Sequence, residues 1–256
     1  MSSSKVALIT GGGGGLGGAA ARGFHGAGYQ VVLADISTLR LEAVAQPLGK
    51  DTLAFQVNVQ KEREVARLVK EVVDARGRID ALLTCHGVVT GHTLLHETDE
   101  AEWDFVVNTN LKGTFFCMKH AAPVLMRQRS GCIVNLTTNT GRAGRVPYSA
   151  SKYGIEGITE SAAEELKPFR VGVYAVAPGG YVATPFHDNS YSLMPHKNYV
   201  PEADLIKSRK PLKPEVIVPL CLHLAEDRTL ALTGRKISAP EWNEQHGLGK
   251  EIWYVL

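Results

Sequence analysis

Tyr148 and Lys152 stand four positions apart and are the residues of this chain best suited to proton transfer. They open a run that predicts a helix over 148–167, ended by Pro168, and their spacing places both side chains on one helix face. A phenol, with a pKa of about 10, is a poor proton shuttle near neutral pH. A neighbouring ammonium favours the phenolate, and a shift of two to three units corresponds to roughly 3–4 kcal/mol. The pair could move a hydroxyl proton, although an ordinary helix can carry the same spacing.

A glycine-rich turn near the amino terminus indicates a dinucleotide site. An apolar strand runs directly into the segment 11–17, which holds six glycines, and a small-residue helix then leads to a second apolar strand that ends at Asp35. This order is the dinucleotide-binding layout, in which the backbone approaches a pyrophosphate at the helix N-terminus. Asp35 lies near the expected separation of about twenty residues, where a carboxylate holds ribose hydroxyls. A flexible glycine tract, the alternative, would not be bracketed by two such strands.

Four motifs in sequence order make the chain resemble the classical short-chain dehydrogenase/reductase family over nearly its whole length. The fingerprint T-G-x-x-x-G-x-G is matched by 10–17, and Y-x-x-x-K by Tyr148 and Lys152. The family's N-x-x-G context is matched by Asn110 to Gly113, and P-G-x-x-x-T by 178–184 with one extra glycine. Each motif is weak alone, but the four together in this order are specific.

The resemblance implies an NAD-dependent oxidoreductase that interconverts a secondary alcohol (a sugar, cyclitol, hydroxy acid or cyclic alcohol) and its ketone by hydride transfer. Tyr148 would be the acid/base, Lys152 would lower its pKa and hold the nicotinamide ribose, and Asn110 would anchor a water. Thr138, with Thr137 as second candidate, would replace the family's Ser beside the substrate oxygen. The implied cofactor contacts are Gly11, Gly14, Gly15, Leu16, Asp35, Ile36, Asn58, Val59, His86, Gly87, Tyr148, Lys152, Pro178, Gly179, Val182 and Thr184.

Three departures from the family pattern leave a rival interpretation open. Thr84-Cys85-His86-Gly87 stands where the family has N-N-A-G, the stretch from Thr138 to Tyr148 is short, and 237–241 replaces the usual v-D-G-G. The first and last slightly favour a non-catalytic dinucleotide-binding regulatory protein with the same fold. The intact Tyr, Lys and Asn count against it, because a sensor has no need of a phenol–ammonium pair. An epimerase or dehydratase of the extended branch is disfavoured by the length of the chain.

The acidic residue after the second strand favours NAD over NADP. Asp35 places a carboxylate where a 2′-phosphate would lie, and two like charges in a partly buried site repel each other strongly. The glycine turn contains no Lys or Arg, and Ile36 follows the acid. Arg40 is the nearest base, and we expect it to face solvent.

Alternating strand-like and helical segments predict one α/β domain over 1–256, a Rossmann-like, doubly wound parallel sheet of about seven strands with helices on both faces. The carboxyl ends of the strands would then meet along one edge, where ligands bind. Segment 186–213 is the least regular and is expected to be a substrate lid. Strands are predicted near 6–10, 30–34, 53–59, 79–85, 131–136, 171–177 and 235–238, and helices near 15–27, 37–46, 61–76, 99–127, 148–167 and 214–226.

Composition excludes several classes of partner. A net charge of +2 on 256 residues gives no footprint for nucleic acid, and no apolar run approaches the roughly 20 residues that a membrane helix needs. The first strand begins so early that we expect no signal peptide. Four widely spaced cysteines indicate reduced residues in a cytoplasmic protein. His86, His92 and His96 could hold zinc, but without a Cys pair or H-E-x-x-H pattern we expect no metal.

Several residues around Tyr148 are candidates for the substrate pocket. Arg142 and Arg145 lie in the short loop before it and suit an anionic or polyhydroxylated substrate such as a sugar acid, although two solvated arginines would look the same. The predicted substrate contacts are His92, Thr138, Arg142, Arg145, Tyr148 and Phe186.

The family resemblance also implies a homo-oligomer, most simply a homotetramer paired through the helices over 99–127 and 148–167. On the second helix, Ile155, Ile158 and Ala162 form an apolar stripe that could contact a neighbour or pack on the chain's own sheet. The tail over 240–256, with Trp242, Trp253 and Tyr254, is rich in apolar residues and is expected to cross a subunit interface.

Overall fold

The computed structural model of the protein describes residues 4–138, 141, 143–196, 198–201, 203–204 and 211–248. Arg142 and the last part of the expected interface tail, 249–256, lie outside the described residues. Within the described ranges, none of the helices combines the length and apolar character that a membrane crossing requires.

Seven parallel strands form the central sheet in the order β3-β2-β1-β4-β5-β6-β7. The order reverses between β1 and β4, which makes the carboxyl ends of these strands the topological switch point where ligands bind in such sheets. The predicted doubly wound α/β fold is therefore confirmed. The strands are β1 (Val6–Thr10), β2 (Gln30–Asp35), β3 (Leu53–Gln56), β4 (Ala81–Thr84), β5 (Cys132–Leu136), β6 (Gly172–Ala177) and β7 (Lys236–Ser238).

Helices cover both faces of the sheet and create two apolar cores. Successive side chains of β1 alternate between them: Ala7 and Ile9 join Phe24 in one core, whereas Leu8 joins Leu68 in the other. Because both faces are buried, the inner strands are nearly continuous apolar runs, whereas the edge strands β3 and β7 are partly exposed. The helices are α1 (Gly15–Gly26), α2 (Thr38–Leu48), α3 (Glu62–Arg76), α4 (Glu100–Val107), α5 (Gly113–Gln128), α6 (Val146–Leu166), α7 (Phe186–Leu193), α8 (Val218–Glu226) and α9 (Ala239–Gln245).

A turn of π-helix interrupts the single long helix predicted over 99–127. It spans Asn108–Lys112, and the Gly113 amide donates to the Asn108 carbonyl five residues earlier. Hydroxyls reinforce the distortion, because Thr109 donates to the Phe105 carbonyl and Thr114 to the Asn110 carbonyl, each at 2.7 Å. The extra residue rotates Asn110 inward, and such turns frequently mark functional sites.

Other segments differ from the predicted boundaries. The strand predicted over 53–59 ends at Gln56, and the helix predicted from 214 begins as a short 3-10 turn, Pro214–Ile217, before α8. The supposedly irregular lid begins with the regular helix α7, and α9 was not predicted at all. Both short helices are held by contacts distant in sequence, which local patterns do not reveal.

The apolar stripe of α6 faces the protein's own core. Ile155 is 1% exposed, and Ile158 and Ala162 are partly buried against the apolar core that contains Ile133 and Val173. Within the subunit the stripe therefore packs towards the protein's own sheet, and because Ile158 and Ala162 stay partly exposed, its role in a subunit interface remains a prediction. Trp242 in the tail likewise packs partly on the core and stacks on His246, with ring centres 3.9 Å apart.

Candidate active site

A cleft of about 570 Å³ opens at the carboxyl ends of the strands, over the switch point between β1 and β4. Every residue predicted to bind the cofactor lines it, from Gly11 and Asp35 at one end to Tyr148 and Lys152 at the other. His92, Thr138, Arg145 and Phe186 line it too. Asn110 is fully buried and lies behind the wall.

The glycine turn is built to leave the start of α1 accessible. Gly11 has a φ of +65°, and a Cβ there would lie 2.5 Å from the His86 amide nitrogen. A Cβ on Gly17 would lie 2.1 Å from the Gly11 carbonyl oxygen. The first turn of α1 carries no side-chain cap and no acid, so its amides suit an anionic pyrophosphate. The packing of the turn and its free amides therefore fit a bound dinucleotide.

Asp35 is fixed at the end of β2 by main-chain and side-chain donors. Its Oδ2 accepts from the Gly13 amide at 3.1 Å, and its Oδ1 accepts from the Ser37 amide at 3.0 Å. Arg40 Nη2 donates to the same Oδ1 at 3.0 Å. The expectation that Arg40 faces solvent is wrong: the Ser37 side chain caps the Arg40 amide at the start of α2, and the guanidinium turns into the cleft.

The wall beyond Asp35 would receive the adenine. Asn58 Oδ1 accepts from the Gln60 amide at 3.0 Å, so part of the acceptor capacity predicted for adenine is already used. Ile36 is 38% exposed beside it. Val59 packs closely against Gly113, because a Cβ added to Gly113 would lie 2.9 Å from Val59 Cγ2. This contact joins the cleft wall to the residue that follows the π turn.

His86 lies in the T-C-H-G segment that departs from the family pattern. Its Nδ1 is 2.7 Å from Thr10 Oγ1, and its Nε2 is 3.4 Å from Thr114 Oγ1. Burial, with a smaller effect of the Lys152 charge, lowers the pKa of His86 to about 3. The imidazole is therefore neutral near pH 7 and ties β1 to α5. Burial also raises the pKa of Cys85 to about 12, so this wall of the cleft presents a thiol.

The Tyr148–Lys152 pair sits on the first turns of α6. Lys152 Nζ donates to the Leu136 carbonyl at 2.9 Å and lies 5.7 Å from the centre of the Tyr148 ring. Only 4% of Lys152 is exposed, and burial lowers its pKa to about 8. Tyr148 is partly exposed to the cleft, and its ring meets Phe186 edge-on at 6.1 Å between centres. A buried ammonium thus lies close to an accessible phenol.

Asn110 braces the loop that follows β4. Its Oδ1 accepts from the Val88 amide at 2.7 Å, and its Nδ2 donates to the Val88 carbonyl at 2.9 Å and to Ser151 Oγ at 3.1 Å. Ser151 Oγ in turn donates to the Tyr148 carbonyl at 2.8 Å. The amide therefore joins the cleft wall to the helix that carries the Tyr–Lys pair.

The two threonines after β5 face different surroundings. Both threonines line the cleft, but Thr137 is only 2% exposed, and its hydroxyl donates to Glu156 Oε1 at 2.7 Å. Thr138 is partly exposed and lines the cleft. The geometry thus favours Thr138 over Thr137 for contact with a substrate.

The outer end of the cleft carries basic and aromatic groups. Arg145 Nη1 donates to the Thr90 carbonyl at 3.1 Å, beside the start of α6. His92 is exposed at the edge of the cleft. Its ring packs closely on Gly144, because a Cβ added to Gly144 would lie 2.5 Å from the His92 ring. Phe186 completes this end from α7.

The contacts of α7 were missed by the sequence analysis. Ser190 Oγ accepts from the Val89 amide at 3.0 Å, and Asn189 Oδ1 accepts from Arg40 Nη1 at 3.3 Å. The four-residue spacing from Phe186 to Ser190, whose hydroxyl donates to the Phe186 carbonyl at 2.7 Å, was the available local signal. In the parts of the chain that the structure describes, His86, His92 and His96 form no cluster able to hold a metal.

The fold and this cleft define a dinucleotide-binding oxidoreductase class. The sequence model of the short chain dehydrogenases matches residues 5–193, and the chain belongs to the short-chain dehydrogenase/reductase family. It is an oxidoreductase of that family, whose members bind a nicotinamide dinucleotide.

Three known proteins illustrate the similarity. The 3-oxoacyl-[acyl-carrier-protein] reductase FabG of Staphylococcus aureus is 40% identical over 190 residues, which cover 72% of this chain and 77% of the relative. The structure of levodione reductase is 27% identical with a TM-score of 0.80, covering 91% of this chain and 95% of that one. ElxO with NADP bound is 26% identical with a TM-score of 0.78, covering 92% and 97%.

Proposed function

We propose that the chain is an NAD-dependent alcohol dehydrogenase or ketoreductase that interconverts a secondary alcohol and its ketone. The observation that carries the proposal is the Tyr148 phenol beside the buried Lys152 ammonium, 5.7 Å from ring centre to Nζ, in a cleft that begins at a glycine turn. A phenol and an ammonium in this arrangement form an acid/base unit for a hydroxyl proton.

Each residue of the site has a role that follows from its contacts. When bound, NAD supplies the acceptor for the hydride that leaves the alcohol carbon. Tyr148 takes the hydroxyl proton during oxidation and returns it during reduction. Lys152, held by the Leu136 carbonyl, stabilises the phenolate by its charge. Thr138 holds the substrate oxygen by its hydroxyl.

Asn110 acts as a positioning residue in this proposal. Its side chain is committed to Val88 and Ser151, so it fixes the relative placement of the cleft wall and α6. The water that the family resemblance assigns to Asn110 would bind at this residue and link Lys152 to bulk solvent.

The preference for NAD rests on Asp35. The Asp35 side chain is 7% exposed, and a 2′-phosphate beside it would meet a buried negative charge. Arg40 pairs with this acid and weakens the repulsion, and ElxO has NADP bound. Kinetics with both dinucleotides decide the preference: an equal or higher kcat/KM with NADP would refute NAD.

The candidate substrates are alcohols and ketones that fit the outer part of the cleft, where apolar and basic side chains lie. Val88, Phe186 and Arg145 line the outer cleft and suit a ring or chain with a polar or anionic end. Because levodione reductase and a 3-oxoacyl reductase are similar proteins, the panel holds cyclic ketones, 3-oxoacyl thioesters, sugars, cyclitols and hydroxy acids. Substrate-dependent change in the nicotinamide absorbance supports the enzyme, and no change across the panel supports a regulatory protein.

We also propose a cytoplasmic homotetramer in which all 256 residues form one domain and 186–213 form the lid. Trp103, Phe115 and Tyr153 on α4, α5 and α6 are 40, 47 and 50% exposed and form apolar surface that a partner would cover. Four free cysteines agree with the compartment. Light scattering should give about four times 27.7 kDa, and a monomer at micromolar concentration would refute the assembly.

The tail over 240–256 is assigned to the same assembly, as a segment that crosses a subunit interface. A truncation after Gly249 should weaken the tetramer and lower activity. A truncated protein with unchanged mass in solution and unchanged activity would contradict this role.

A further inference from the structure

A buried carboxylate lies behind the outer end of the cleft. Glu102, in the first turn of α4, is 7% exposed, and its Oε1 accepts from the hydroxyl of Thr90, which is 2% exposed. Glutamate is seldom buried to this degree unless a positive charge compensates for the water that the carboxylate has lost. The position of Glu102 therefore indicates a cation close by.

Arg145 supplies that positive charge across a single residue. Its Nη1 donates to the Thr90 carbonyl at 3.1 Å, so Thr90 contacts the arginine with its main chain and Glu102 with its side chain. The imidazole of His196, in the lid, is close to both charges. Burial lowers the pKa of His196, and of the two neighbouring charges Glu102 raises that pKa and Arg145 lowers it.

The lining of the cleft shows what this pairing means for a substrate. Among the described residues that line the cleft, Asp35 is the only carboxylate, and it lies at the opposite end, beside the glycine turn. Asp188 on α7 does not line the cleft and accepts from the Tyr199 hydroxyl. The arginine at the outer end is thus balanced by Glu102 from behind, and an anion placed there would be repelled by that carboxylate.

We propose that the outer cleft selects substrates that are uncharged at the end remote from the reacting carbon, because Glu102 is a built-in counter-ion of Arg145. The inference rests on the proposed function and narrows it: cyclic ketones, sugars and cyclitols fit this charge pattern better than hydroxy acids do. Val88 and Phe186 add apolar walls that suit an uncharged ring. Glu102 acts through Arg145 and is therefore a specificity-determining residue without contact to the substrate.

Two ketones of nearly equal size test the selection: a cyclohexanone with a carboxylate opposite the carbonyl, and the same ring with a carboxamide. Their kcat/KM values are measured with NADH in wild type, Glu102→Gln and Glu100→Gln at pH about 8, above the ordinary imidazole pKa of about 6.5. Gln at position 102 removes the charge and keeps an acceptor for the Thr90 hydroxyl. Glu100→Gln is the matched control, because Glu100 is exposed in the same turn of α4.

Wild type should favour the carboxamide by about tenfold or more. Glu102→Gln should shift the ratio of the two kcat/KM values by at least about tenfold toward the carboxylate, because it leaves the charge of Arg145 unbalanced. The control should keep the wild-type ratio. In an Arg145→Met background, Glu102→Gln should no longer shift the ratio toward the carboxylate, since the charge that it would expose is gone.

A wild-type protein that favours the carboxylate would overturn the inference, as would an unchanged ratio in Glu102→Gln or an equal shift in the control. The wild-type comparison decides the matter if Glu102→Gln is unstable. If neither ring is reduced, calorimetric titration of both into the protein at saturating NAD gives the same comparison, and binding of neither ring would overturn the inference. Tighter binding of the carboxamide without turnover of any alcohol or ketone would support the inference and refute the proposed function.

Discussion

Lys152 Nζ donates to the main-chain carbonyl of Leu136 at 2.9 Å, at the carboxyl end of β5. This hydrogen bond holds the ammonium in a buried position at the cleft, and only 4% of Lys152 is exposed. The carbonyl compensates part of the desolvation of the charge, and the remainder appears as the lowered pKa of Lys152. The same ammonium is thereby placed next to the phenol that it serves.

Stability should rise with pH through the titration of Lys152. Burial lowers the pKa of Lys152 from 10.5 to about 8, so between these values the unfolded chain holds the proton and the folded chain has lost it. Folding therefore becomes more favourable as pH rises across that window, by about 2 kcal/mol from pH 8 to 10. Buried thiols such as Cys85, whose pKa values are raised, lower stability at alkaline pH, so the Lys152 effect appears as a difference: the free energy of unfolding of wild type should rise with pH relative to that of Lys152→Met in denaturant titrations. A gap between the two proteins that does not change with pH would contradict the burial effect.

Acid should destabilise the fold through His86. The pKa of His86 is lowered to about 3 in the folded chain. Below about pH 6.5 the unfolded chain therefore binds a proton at this imidazole, whereas the folded chain does not until the pH approaches 3. Each pH unit between these values then costs about 1.4 kcal/mol. His86→Asn should flatten the dependence between pH 6.5 and 5 in urea titrations, whereas His25→Asn, at an exposed position, should keep the wild-type slope. Equal slopes in all three proteins would show that His86 accepts a proton while folded.

The two threonines after β5 should respond differently to substitution. Thr138→Ala should lower kcat/KM by about ten- to a hundredfold, as expected for one lost hydrogen bond to the reacting oxygen. Thr138→Ser should stay active because it keeps the hydroxyl. Thr137→Ala should reduce stability through its lost bond to Glu156 and leave kcat nearly unchanged. The reverse order of effects on kcat would assign the substrate contact to Thr137.

Asp35→Ala should relax the preference between the dinucleotides. The substitution removes the negative charge that opposes a 2′-phosphate and leaves the Arg40 guanidinium without its acid. We expect kcat/KM to fall with NAD and to rise with NADP, changing the ratio by at least about tenfold. A ratio that stays constant would mean that the ribose end of the cofactor does not lie at Asp35.

The parts of the site encoded by short motifs were predictable, because local geometry alone positions them. Tyr148 and Lys152 share a helix face by spacing, and Asp35 ends a strand beside a glycine turn. Arg40 was not predictable, since its orientation depends on Gly13 and on Asn189, which is 149 residues away in sequence. The π turn around Asn110 likewise follows from bonds to Val88 and Ser151 across the fold. Sequence periodicity reflects local geometry and does not reveal contacts between residues that are distant in sequence.

The most direct test of the account is Tyr148→Phe, assayed for turnover and for NAD binding in the same preparation. The substitution removes the hydroxyl that exchanges the proton and leaves the ring against Phe186. We expect turnover to fall by at least about a thousandfold while the Kd for NAD changes by less than about threefold. A variant that keeps more than a few per cent of the wild-type rate would contradict the acid/base role of Tyr148.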